Sequence, residues 1–161
     1  MRLRAQNIIL ALAACMFAVG FWVQHAAEHS DLPFSVTYKP IHSPKDIVAL
    51  PSTEVLPIVY TRVTSLAGLK VATKKQKFID MLLPAILISK QKLLLARQKL
   101  QRLTGQDSLS TDEHAWLAHQ QQRFNAMQPD ELLARMDDVP TSMVLAQAAI
   151  ETGWGTSRFF L

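Results

Sequence analysis

Glu151 stands in the last turn of a helical stretch that opens at Pro140 and ends at Gly153, with Trp154 and Gly155 directly after it. A carboxylate at a helix C-terminus feels the partial negative charge of the last carbonyls, which disfavours ionisation and raises its pKa. Burial beside Trp154 acts in the same direction. A carboxylic acid that stays protonated near neutral pH is the group that hands a proton to a leaving glycosidic oxygen. The same glutamate also reads as an ordinary surface or packing residue. Trp154 has two readings of its own, an apolar wall for a sugar ring or an anchor that fixes the turn. Thr152 reads as a helix-end hydrogen-bonder.

The remaining reactive side chains offer less. His25-Ala26-Ala27-Glu28-His29 has the H-x-x-E-H spelling of some zinc proteases, but no third ligand follows at a suitable place, so it reads as a polar collar. His114 and His119 are five residues apart and share a helix face poorly. The single cysteine, Cys15, excludes an internal disulfide and a cysteine-based zinc site. Leu12-Ala13-Ala14-Cys15 has the form of a lipobox, yet Met16–Val23 continues apolar where a lipoprotein turns polar. Neither metal nor cofactor is expected.

The elements that position Glu151 follow from charge and periodicity. Arg2 and Arg4 precede an apolar run from Ile8 to Val23, which predicts a signal anchor or transmembrane segment over 1–24, with all that follows exported. That order places the chain at a cell inner membrane with its C-terminal part in the periplasm; signal cleavage or lipidation are the alternatives. Residues 25–66 contain Pro33, Pro40, Pro44, Pro51 and Pro57 and predict an extended, partly strand-like tether. Residues 67–161 form the third block, and the architecture expected is all-α.

Within this block a helix is predicted from Thr73 to Leu103, with Ile79, Leu82, Ile86, Leu93, Ala96, Leu100 and Leu103 as its apolar stripe and a kink or break at Pro84. Gly105 suits its end. Ser110-Thr111-Asp112-Glu113 reads as a capping box opening a second helix to Phe124, with Trp116, Leu117 and Phe124 facing inward. Pro129-Asp130-Glu131 opens a short helix through Met136. The last helix offers Val144, Leu145, Ala148 and Ile150 to the core. Residues 68–103 carry a charge of +8 and residues 104–161 carry −5, so the basic stretch either attracts a polyanion or pairs with the acidic block that follows it. Nucleic acid is not expected, because only Phe78 interleaves with the lysines.

Val139-Pro140, Leu145-Ala146-Gln147-Ala148 and Ile150-Glu151-Thr152-Gly153-Trp154-Gly155-Thr156-Ser157 together resemble the catalytic-glutamate motif of the bacterial glucosaminidase domain, glycoside hydrolase family 73. The Lys74-Lys75-Gln76-Lys77-Phe78 stretch followed by Leu82-Leu83-Pro84 resembles the Bax-like proteins of Gram-negative bacteria within that family. The resemblance covers residues 67–161 and is most specific over 139–158. It implies the helical first part of a lysozyme-like domain, peptidoglycan glycan strands as substrate, and β-N-acetylglucosaminidase chemistry. Glu151 is then the general acid, Gln147 and Trp154 lie near the cleft, and Gly153 and Gly155 permit the turn. Family members continue past this motif into the lobe that completes the cleft, whereas this chain ends at Leu161, so a truncated, inactive fragment is expected. The competing reading is a non-catalytic, membrane-anchored envelope protein that binds anionic material through its basic helix.

A reporter fused after Leu161 is expected to be active only if it requires export. Activity of a cytoplasm-only reporter would overturn the predicted orientation.

Overall fold

A computed structural model describes residues 32–51 and 54–158. The signal anchor predicted over 1–24, Cys15, and the His25–His29 collar lie outside the described residues. Among the described residues no helix is long and apolar enough to cross a membrane.

The described chain is mostly helical. Two short strands, β1 (Thr37–Lys39) and β2 (Ile58–Tyr60), flank a 3-10 turn at Pro44–Asp46, and four helices follow: α1 (Val71–Thr104), α2 (Thr111–Phe124), α3 (Pro129–Arg135) and α4 (Thr141–Thr152). At 1.5 Å per residue α1 is about 51 Å long, and it carries two separate hydrophobic clusters along its length. Around its first half Phe78 and Met81 pack with Ile41, Ile47, Leu66 and Ala149. Around its second half Leu100 packs with Ala126, Leu132 and Met136, with Trp116, Leu117 and Phe124 partly buried against them. The second cluster is made locally by α2 and α3. The first needs residues distant in sequence.

That difference explains where the sequence reading and the structure part. From Phe34 onward, the described part of the segment read as a tether belongs to the same compact unit as the helices. Ile41, Ile47 and Leu66 are fully buried, and β1 pairs in parallel with β2 in the register Thr37↔Ile58, Tyr38↔Val59 and Lys39↔Tyr60. The prolines space these contacts without preventing them. Asp46 ties the intervening turn by accepting from the backbone N–H groups of His42 (2.9 Å) and Ser43 (2.8 Å). The Val48 N–H donates to Tyr60 Oη (2.9 Å), and Lys77 Nζ reaches across from α1 to the Ile47 carbonyl (2.6 Å). The strand pair is an addition to the all-α reading.

Helix α1 also departs from its predicted stripe. Its buried residues are Phe78, Asp80, Met81, Pro84, Ile88, Leu100 and Leu103, so the first half is rotated away from the Ile79–Leu82–Ile86 face. Residues 78–88 are apolar almost all round, and such a stretch has no unique helical face of its own. The 41–66 segment chooses it by packing on Phe78 and Met81. No break occurs at Pro84. The proline removes one backbone donor and one helical hydrogen bond, but Met81 and Ile88 are buried on either side of it and hold the helix through the gap. Buried Asp80 accepts from Gln76 Nε2 (2.9 Å) and from the Leu50 N–H (3.4 Å).

The remaining boundaries follow local chemistry. Ser110 Oγ accepts from the Glu113 N–H (3.3 Å), while Glu113 accepts from the Ser110 N–H (2.8 Å), which is the predicted capping box. Asn125 in a left-handed conformation (φ 50°) ends α2. Glu131, in the first turn of α3, accepts from the Met127 N–H (2.8 Å) and pairs with Arg135 at 2.7 Å.

Glu113 is held below its ordinary value of 4.5, first by the Ser110 backbone N–H and then by the Ser110 hydroxyl. Glu131 is lowered chiefly by the Met127 N–H, and Asp46 by those of His42 and Ser43. A carboxylate whose folded pKa lies below its unfolded one contributes stability that is complete above the unfolded value and lost as pH falls through the folded value. The melting-temperature difference between the protein and its Glu113→Gln variant should therefore be present at neutral pH and shrink as pH falls below 4.5. A difference that does not change with pH would contradict this role for the capping carboxylate.

Candidate active site

Helix α4 runs from Thr141 to Thr152, and residues on α1 hold both of its ends. At its start, Lys90 Nζ forms an ion pair with Asp138 (3.0 Å) and donates to the Val139 carbonyl and to Thr141 Oγ1 (both 3.0 Å). About two helical turns beyond, Arg97 Nη1 donates to the carbonyls of Leu133 and Met136, the latter at 3.0 Å, and so satisfies carbonyls at the end of α3. The two cations, seven residues apart on α1, fix the connection that leads into α4.

At the far end the chain makes an unusual turn. Gly153 (φ 58°), Trp154 (φ 59°) and Gly155 (φ 75°) are all in the left-handed region. For tryptophan this conformation costs about 1–2 kcal/mol. The turn is held by a dense set of bonds: the Trp154 N–H donates to the Ala149 carbonyl (3.0 Å), and the N–H groups of Thr156 and Ser157 both donate to the Thr152 carbonyl (3.0 and 2.9 Å). Thr152 Oγ1 donates to the Ala148 carbonyl (2.6 Å) and accepts from the Gly155 N–H (3.2 Å). Thr152 is thus the helix-end hydrogen-bonder that its position suggested. The Leu66 N–H donates to the Gly155 carbonyl (2.9 Å), which ties the turn to the 41–66 segment.

The Trp154 ring meets Phe78 edge-on, with centroids 5.5 Å apart, and Lys75 Nζ lies 5.0 Å from the ring centroid. These contacts are those of an anchor for the turn. A sugar ring could use only the surface of the indole that Phe78 and Lys75 leave uncovered.

Glu151 points the other way. It is exposed, as is Gln147 one turn earlier, and Gln147 Nε2 donates to Glu151 Oε1. The burial beside Trp154 that the sequence left open does not occur, because the left-handed turn carries the indole inward while the helix keeps residue 151 on its outer side. Among the described residues Oε2 has no partner. The same outer face exposes Met143 (61%) and Ile150 (78%). Ile150 was expected in the core; Ala149 takes that place, buried with Phe78 and Met81 of α1.

The structure therefore brings Gln147 and Glu151 together in direct contact and sets Trp154 behind them as support. It separates them from Asp137 and Asp138. From Thr141 to Glu151 the helix rises about 15 Å, well beyond the roughly 5–9.5 Å between the two carboxyl groups of a glycosidase, and Asp138 is committed to Lys90. Among the described residues no cluster of three or more His, Cys, Asp or Glu side chains could hold a metal ion. His114 and His119 are exposed on α2, far along the chain from this face. Leu66, Phe78 and Lys75, which shape the turn, carried no functional signal in the sequence beyond the lysine-rich stretch itself.

No family model, curated protein or solved structure matches this chain.

A Cβ on Gly153 would lie 3.1 Å from Thr156 Oγ1 on a backbone with φ 58°. Gly153→Ala is therefore expected to lower unfolding free energy by more than about 1 kcal/mol, measured by urea denaturation. Gly105→Ala, where φ is −94° and the nearest atoms are 3.7 Å away, is expected to be tolerated. Equal effects would contradict the left-handed turn.

Proposed function

We propose that this chain is the helical part of a peptidoglycan-hydrolysing β-N-acetylglucosaminidase domain of the lysozyme-like type, with Glu151 as general acid. The observation that carries this reading is the Gln147–Glu151 pair on the open face of α4, immediately before a left-handed Gly-Trp-Gly turn anchored in the core. The amide bonds one carboxyl oxygen and orients the group. The other oxygen, Oε2, is left to carry the proton that passes to the glycosidic oxygen as the bond breaks. A rigid helix anchored at both ends gives the fixed placement that proton transfer requires. The resemblance of residues 139–158 to the catalytic motif of glucosaminidase domains supports the same assignment.

The cation that develops on the sugar needs stabilisation from a second group or from the N-acetyl oxygen of the substrate. Asp137 and Asp138 precede the start of α4, and Glu151 lies in its last turn, about 15 Å of helix rise beyond Thr141. In this proposal the exposed Met143 and Ile150 face forms one wall of a glycan cleft whose other wall is a second lobe, as the resemblance to glucosaminidase domains implies. The predicted export signal agrees with a substrate in the periplasm and an attachment to the inner membrane.

The test joins the chain to the C-terminal lobe of a glucosaminidase-domain enzyme and follows reducing ends released from purified peptidoglycan. The chimera is expected to be active, with Glu151→Gln lowering the rate by about 10²–10⁴ and Thr152→Ala much less. Equal losses in both variants, or near-full activity of the glutamine form, would show that Glu151 is not the acid.

A further inference from the structure

A cavity beside α1 is lined by none of Gln147, Glu151 and Trp154. It opens between the middle of α1 and the segment leading into β2 and has a volume of about 480 Å³, within the range of about 300–1,000 Å³ typical of ligand pockets. Its walls are apolar, formed by Phe34, Leu56, Pro84, Leu87, Ile88 and Leu94, and its polar groups, Lys90, Gln91, Arg97 and Asp138, come from the later part of α1 and the start of the α4 connection. Phe34 and Leu94, 40% and 48% exposed, leave apolar surface open to solvent.

The charges are not equivalent. Lys90 uses its three ammonium hydrogens on Asp138, Val139 and Thr141, so its charge is compensated and its donors are spent. Arg97 is different. Its Nη1 is bonded to the Leu133 and Met136 carbonyls, but among the described residues Nε and Nη2 have no partner. The Nε–Nη2 edge of a guanidinium is a planar fork that fits a carboxylate bidentately, and anchoring through Nη1 holds that fork in place. An apolar cavity lined by an arginine that forms no ion pair with a carboxylate among the described residues is complementary to a molecule with an apolar body and a single anionic head.

We propose that this cavity binds a long-chain fatty carboxylate, its chain along the Pro84–Leu94 face of α1 and its carboxylate on the Nε–Nη2 edge of Arg97. The site is separate from the Gln147–Glu151 face and does not depend on its function.

The test uses the full chain in nanodiscs of zwitterionic phospholipid, exposed to a palmitate analogue with a photoreactive diazirine in its chain, with the labelled peptides located by mass spectrometry. Labelling is expected on residues 84–94 and 55–57, competed by palmitate and not by hexadecanol, which has the same chain without the carboxylate. Arg97→Gln should weaken the competition by palmitate at least about tenfold, as expected for loss of a charge-assisted pair. Because Arg97 also caps α3, Leu94→Glu serves as the second variant: it adds a carboxylate three residues from Arg97 on an exposed position, and should give the same loss with an unchanged melting temperature. Several results would overturn the proposal. They are equal competition by hexadecanol, labelling indifferent to both variants, competition by anionic phospholipid rather than palmitate, and absence of label from the cavity because another part of the chain fills it.

Discussion

The turn at Gly153-Trp154-Gly155 is the constraint on which the rest of the site depends. An L-residue as large as tryptophan stays in the left-handed region only where its surroundings offset the strain. Here Phe78 packs against the indole in a T-shaped contact, Thr152 bonds the turn from within, and Leu66 bonds it from the segment before α1. Helix α4 can therefore end in only one way. Its last turn keeps Glu151 outward because the residue three places later is drawn inward. The position of the carboxylate is thus a consequence of packing in the first hydrophobic cluster, although Glu151 itself belongs to no cluster.

The basic character of α1 takes on a different meaning in the fold. Lys75 lies over Trp154 and Lys99 over Trp116, Lys77 reaches the Ile47 carbonyl, Lys90 pairs with Asp138, and Arg97 holds the end of α3. Much of the +8 charge is spent joining α1 to the elements around it, more often at carbonyls and ring faces than at carboxylates. Ion pairs at exposed positions contribute little by themselves, but a cation bonded to several backbone carbonyls also satisfies polar groups that a helix end leaves open. This arrangement accounts for a lysine-rich helix without a polyanion.

What was legible in the sequence was local. The capping box at Ser110 and Glu113, the proline that opens α3 and the glycine that closes α4 are signals within one turn of the backbone, and each stands where the spacing put it. The face of α1 was not legible, because residues 78–88 are apolar on nearly every side and the choice belongs to Ile41, Ile47 and Leu66. Those residues sit among prolines, which suggested an extended tether, and only the long-range contacts reveal them as core. Gln147 and Glu151, four apart on a helix, are neighbours by spacing alone. That Trp154 turns its back on them depends on three consecutive left-handed residues, a conformation that two glycines allow but do not dictate.

The central claim is that the outer face of α4 meets a glycan while the indole behind it serves the fold. It is tested most directly by titrating an N-acetylglucosamine oligosaccharide into the isotope-labelled chain and following side-chain resonances by NMR. The account predicts saturable shifts of the Gln147 side-chain amide and of the Glu151 carboxyl, with the Phe78 ring unmoved. Shifts confined to other surfaces, or none at Gln147 and Glu151 at saturating oligosaccharide, would contradict it.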